Sequence, residues 1–197
     1  MKKVLVCVVL SMLFVVAPVF ATIESVTAGD LLSSFLPSGG SYGLGSLAVV
    51  DSAGIAVKDD QGVQTNYADI VFSLNTSLSV NNSASGLVDG TFSGGDLSIG
   101  GLLQADVISM RLTELYDGGG ILAGVGSISI TGGDLASDFG SIGDLIQITF
   151  AVNPSSIDDF SQSFTGRSAI TLVPVPEPMT ICLLGLGGLL LRRRKSA

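Results

Sequence analysis

The chain has 197 residues, 26 of them glycine, with no histidine and no tryptophan, and nine basic residues against 17 acidic ones. Without histidine it can hold neither a Ser-His-Asp nor a Cys-His catalytic arrangement, nor a His-ligated zinc. Its two cysteines, Cys7 and Cys182, sit in apolar terminal segments, so no disulfide can form within the body between them.

Residues 1–21 read as a secretory signal peptide. Lys2 and Lys3 form a charged start, Val4–Phe20 is an apolar run broken only by Ser11 and Pro18, and Val19-Phe20-Ala21 offers a cleavage site after Ala21. The alternative is an uncleaved membrane anchor, against which Pro18 and the small-residue exit both argue.

Thr22–Val175 carries 16 acidic residues and only three basic ones, Lys58, Arg111 and Arg167, a net charge of −13. Such a body repels nucleic acid and anionic lipid. Its periodicity is that of strands, expected at Ser46–Val50, Gly54–Lys58, Asp69–Leu74, Leu87–Phe92, Asp106–Leu115, Ile121–Ile130, Leu145–Val152 and Phe164–Val173. Asp-Gly, Gly-Gly and Asn-Pro pairs punctuate these runs. A short helix is expected at Ala28–Leu36, with Asp30 in its first turn and Pro37 ending it. Eight short strands at this spacing predict an all-β protein, an antiparallel β-sandwich or jelly roll.

Gly94–Gln104 is repeated as Gly132–Leu135 plus Ser141–Gln147, with nine of eleven positions identical and Ala136–Gly140 inserted in the second copy. Each copy is expected to form a strand end, a glycine turn closed by an Asp, and the start of the next strand, the two in facing positions of the sandwich.

Candidate chemistry is sparse. Asp59, Asp60, Asp96, Asp117, Asp134, Asp138, Asp144, Asp158 and Asp159 are the one set from which a calcium site could be drawn, yet none follows an EF-hand or nonapeptide spacing. The expected reading is solvated turn aspartates and no bound metal. A carboxylate pair for glycoside hydrolysis would have to use Glu24 or Glu114 with one of these, and no tryptophan is present to stack a sugar. Gly118-Gly119-Gly120 lacks the lysine of a phosphate loop. No Thr-x-Thr occurs to build a flat ice-binding array. A non-enzymatic body without a cofactor is expected.

The C-terminus is the most informative stretch. Pro174-Val175-Pro176-Glu177-Pro178 precedes the apolar run Met179–Leu191, and Arg192-Arg193-Arg194-Lys195 follows. The prolines fix an extended strip. As a helix the 13-residue run would span about 20 Å against a hydrocarbon core of about 30 Å, a short anchor whose basic end stays in the cytoplasm. A stiff linker before an ordinary tail anchor is the plainer alternative. The order of the three features resembles the PEP-CTERM sorting signal of Gram-negative bacteria, a tail label that also covers some ice-binding proteins.

The resemblance implies that Pro176, Glu177 and Pro178 are read by a membrane-embedded exosortase, with Glu177 the residue recognised. It implies export through the Sec machinery and signal peptidase, an inner-membrane-tethered intermediate, and delivery to the cell surface or an exopolysaccharide matrix. The expected organisation is a signal peptide at 1–21, a β body at 22–173 and a sorting signal at 174–197, the body flanked by a signal helix and a short hydrophobic helix. The competing expectation is a carbohydrate-binding or adhesive β-sandwich, with or without calcium.

Overall fold

The computed structural model describes residues 23–84, 87–115, 120–154 and 157–175. These form eight strands: β1 (Ile23–Pro37), β2 (Gly45–Asp59), β3 (Gln64–Asn81), β4 (Asp89–Ile99), β5 (Leu103–Glu114), β6 (Leu122–Gly132), β7 (Leu145–Pro154) and β8 (Phe164–Pro174). One helical turn, α1 (Ala136–Phe139), interrupts the β6–β7 connection. Each strand pairs antiparallel with the next, and β8 returns to β1 through Val26↔Leu172 to Phe35↔Phe164, closing a barrel.

This corrects the sandwich or jelly roll expected from the sequence. Closure is decided by pairing between the first and last strands, which no local signal reports. With eight strands the interior is just wide enough to be filled by side chains, and Phe35, Phe72, Phe92 and Phe150 are fully buried there among Leu, Ile and Val. The expected flanking helices are not seen: residues 1–22 and 176–197 lie outside the described residues, and among the described residues no helix is long and apolar enough to cross a membrane.

The outward positions carry much Ser, Thr, Asn and Asp, as along Asn75, Asp96, Asp106 and Ser129. Apolar side chains such as Leu32, Val50, Val71, Ile108 and Val125 are exposed among them, so the outside is mixed while the interior is mainly apolar.

The helix expected at Ala28–Leu36 is instead part of β1. Val26, Ala28, Leu31, Ser33 and Phe35 are buried, a two-residue alternation reset by one bulge. Asp30 takes up that bulge with a φ of 58°, a left-handed value that Asp tolerates better than most residues. The reset places Leu31 inside and Leu32 outside, so adjacent leucines that mimic a helical face lie on opposite sides of the sheet. Ser46–Val50 and Gly54–Lys58, expected as two strands, are one, β2.

The duplicated segments lie side by side, not facing. In the first copy Gly94 and Gly95, at φ 70° and 99°, form a bulge within β4, and Asp96 sits in the strand instead of a turn. In the second copy Asp134 and Leu135 have left the strand, and their amides donate to the Gly101 and Leu102 carbonyls at 3.0 and 2.9 Å. Pro174, expected to open the tail, is the last residue of β8 and pairs with Ile146.

Both chain ends leave the barrel at one end, because β1 starts where β8 finishes. The β2–β3, β4–β5 and β6–β7 connections share this exit end. The β1–β2, β3–β4, β5–β6 and β7–β8 connections form the far end.

Candidate functional site

The three cations of the body are all engaged. Lys58 reaches Glu24 at 2.6 Å near the exit end. Arg111 on β5 donates from Nε and Nη2 to both oxygens of Asp89 on β4, at 2.9 and 2.8 Å. The Asp89 side chain is only 7% exposed. Hydrogen bonding from Arg111 outweighs its desolvation and holds its carboxyl below the usual carboxylate range.

Arg167 on β8 spans three strands. Its Nη1 donates to the Asp30 carbonyl at 2.8 Å and to Asp51 Oδ2 at 3.3 Å. Asp51 Oδ2 also accepts the Leu32 amide at 3.0 Å. The β1 bulge breaks the ladder to β2 between Ala28 and Ser33. Backbone groups released there need partners, and Asp51 and Arg167 supply them. The arrangement therefore has a structural task, stapling β8, β1 and β2 across the bulge.

Beside it lies a shallow open cleft of about 300 Å3, with Asp30, Asn153 and Arg167 at its polar edge and Ile121, Ala151 and Ala169 on its apolar side. Ala151 and Ala169 are cross-strand partners, and their small side chains leave the depression. Behind it, inside the barrel, Ser33 donates to Ser168 at 2.6 Å, and Ser168 donates to the Leu31 carbonyl at 3.2 Å. Of the buried side-chain polar atoms described, Thr76 Oγ1 lacks a partner. This cleft was missed in the sequence, although Arg167, one of only three cations in the body, marked the place.

The aspartates singled out from the sequence scatter. Asp59 accepts the Gln61 and Val63 amides, Asp144 accepts that of Ser141, and Asp159 accepts the Ser161 amide and hydroxyl. The Ser161 hydroxyl bond is the main cause of the lowered Asp159 pKa. Asp60, Asp134 and Asp158 are exposed and Asp138 half-buried, while Asp117 lies outside the described residues. Asp96 stands directly opposite Asp106 across β4 and β5. Among the described residues no three acidic side chains converge on a cation-sized space.

Glu24 and Glu114 lie near opposite ends of the barrel. The buried Glu114 accepts the Gly120 amide at 3.2 Å. Asp89 is held ionised, the opposite of the raised carboxyl that a glycosidase acid requires. The sorting-signal residues Pro176, Glu177, Pro178, Arg192, Arg193, Arg194 and Lys195, and the cleavage position Ala21, lie outside the described residues.

Fold and surface define a small closed antiparallel barrel with an apolar, filled interior. No protein-family model matches the chain, and no curated protein or solved structure matches it significantly.

Proposed function

We propose that this chain is a non-enzymatic exported protein of the cell surface or an exopolysaccharide matrix, delivered by a C-terminal sorting signal that an exosortase processes. The observation that carries this reading is the order Pro176-Glu177-Pro178, apolar run, Arg192–Lys195, paired with an apolar segment after Lys2 and Lys3 at the other terminus. The barrel supports it in two ways. Its cysteine-free body suits an oxidising compartment. Its two chain ends also leave together, so a tether at that end leaves the far end open to surrounding matrix.

Replacing Glu177 by Ala tests the proposal. Export through the signal peptide should persist, while the full-length chain collects in the inner-membrane fraction. Normal surface yield for the Glu177→Ala protein would refute the sorting role.

The cleft beside Arg167 favours a second reading, a barrel that holds a neutral glycan. A body of net charge −13 disfavours acidic polysaccharides, whereas Asn153, Asp30 and Arg167 offer donors and an acceptor to hydroxyl groups. A glycan array run with and without calcium separates the readings. Binding lost on Asn153→Ala would establish the second, and no binding to any glycan would eliminate it.

A further inference from the structure

Charge is spread unevenly around the barrel wall. Each of β1 to β5 carries at least one Asp or Glu. β6, β7 and β8 carry none, although the body around them has a net charge of −13. Their inward residues, such as Ile148, Phe150 and Ile170, are buried, which turns the alternate positions to solvent. Register sets those outward residues in bands across the strands. Asn153 pairs with Arg167, and Ala123, Ala151 and Ala169 form the next band. Val125, Thr149, Thr171 and Thr27 of β1 follow, and then Ser127, Gln147 and Val173. The β6–β7 and β7–β8 ladders run without a bulge, so these bands are preorganised and binding to them costs little ordering of the protein.

The cleft beside Arg167 opens on this face, between its first two bands. From Asn153 to Gln147 along β7 the face runs about 20 Å, at about 3.3 Å per residue. Three strands spaced about 4.8 Å apart make it about 14 Å wide, an area of about 300 Å2. A second copy of the chain needs more, since a standard interface takes about 800 Å2 from each partner. An anionic occupant would meet the field of the surrounding carboxylates, and Arg167, the cation of this face, is already engaged by Asp30 and Asp51. A cationic occupant finds its counter-charges on β1 to β5 instead. A neutral chain rich in hydroxyl groups fits. Thr149, Thr171, Gln147 and Asn153 offer it donors and acceptors, and the alanine band gives its C–H groups a smooth apolar strip.

Resting on the second reading, we propose that the cleft is one end of a longer surface on β6, β7 and β8 that holds an extended neutral polysaccharide chain, lying along β7 and β8 from Asn153 towards Gln147. Sugar units beyond the cleft reach the threonine band first and Gln147 and Ser127 after it, so affinity grows with chain length. The carboxylate-free wall gives the surface its preference for neutral chains over acidic ones.

The test is calorimetric titration of the full chain with neutral cello-, manno- and chito-oligosaccharides of two to six sugar units, and with oligogalacturonides of the same lengths. In at least one neutral series the affinity should rise tenfold or more from two units to six, while the acidic series should bind more weakly at every length. Thr149→Arg, a change at an exposed position, should abolish that rise and leave the two-unit sugar bound at the cleft. Gln147→Ala should weaken only the longer sugars. Equal affinity for two and six units, a rise unchanged in both variants, or tighter binding of the acidic series would overturn the extended surface while leaving the glycan reading of the cleft intact. No binding of any sugar would overturn both.

Discussion

The two ends of the barrel are each covered by a phenylalanine carried on a connection, and they differ in what supports it. At the far end Phe160, from the β7–β8 connection, packs edge-on against Phe35 and Phe92 at centroid distances of 5.2 and 5.3 Å, with Phe164 at 6.4 Å. At the exit end Phe139 of α1 is buried, and none of the close aromatic pairs of the described residues includes it. At the far end the β7–β8 connection contributes Phe160 to an aromatic cluster whose other members, Phe35, Phe92 and Phe164, stand on strands, and the bidentate Asp89–Arg111 pair lies at the same end. The exit-end connections contribute Asp60, Asp134, Asp138 and Asp144 and the far-end ones Asp158 and Asp159, and none of these six has an ion-pair partner among the described residues. The two ends therefore differ in their aromatic packing and not in whether their loop carboxylates are paired.

The largest expected effect sharpens that contrast. Phe160→Ala should cost about 3–5 kcal/mol, as aromatic truncations in cores do. Phe139→Ala should cost less, by about 1 kcal/mol or more, because it forfeits no aromatic pairing. Urea unfolding of the two variants measures both, and equal losses would break the asymmetry.

The next effect is the pH dependence of the far-end ion pair. The folded pKa of Asp89 lies below its unfolded value of about 3.9, so the ionised group adds stability above about pH 4, and the contribution disappears as pH falls through the folded pKa. Asp89→Asn should therefore destabilise the barrel at pH 7, and the difference from the native protein should shrink towards zero below about pH 4. A difference that stays constant from pH 7 to pH 3 would remove Arg111 and Asp89 from the account.

The smallest effect lies towards the exit end. Asp96 and Asp106 face each other directly across β4 and β5, and like charges so placed are destabilising. Asp106→Asn should raise stability by about 0.2–1 kcal/mol at low salt, with the gain fading as sodium chloride screens the pair. A loss of stability on this substitution, or a saturable rise in the native melting temperature with calcium at constant ionic strength, would show instead that the two carboxylates are held by a cation.

Much of the barrel wall was legible in the sequence, and its closure was not. β5 to β8 follow the expected runs to within three residues at each boundary, because apolar residues recur at about every second position there. β1 was hidden because its bulge at Asp30 breaks the alternation and leaves Leu31, Leu32, Phe35 and Leu36 at helix-like spacing. The duplicated Gly-Gly-Asp-Leu segments gave a true connection at each copy and a wrong equivalence. The five-residue insertion Ala136–Gly140 lets the second copy leave its strand and pack over the first. The staple of Arg167, Asp51 and Asp30 joins residues 116 and 137 positions apart and exists only once β8 has closed on β1.

The central claim, export with removal of both terminal apolar segments, is tested most directly by the intact mass and thiol content of the protein recovered from the cell surface. The account predicts a chain that begins at Thr22, ends within the tail upstream of Cys182, and therefore contains no cysteine. A surface protein that retains Cys7 or the Arg192–Lys195 cluster would contradict it.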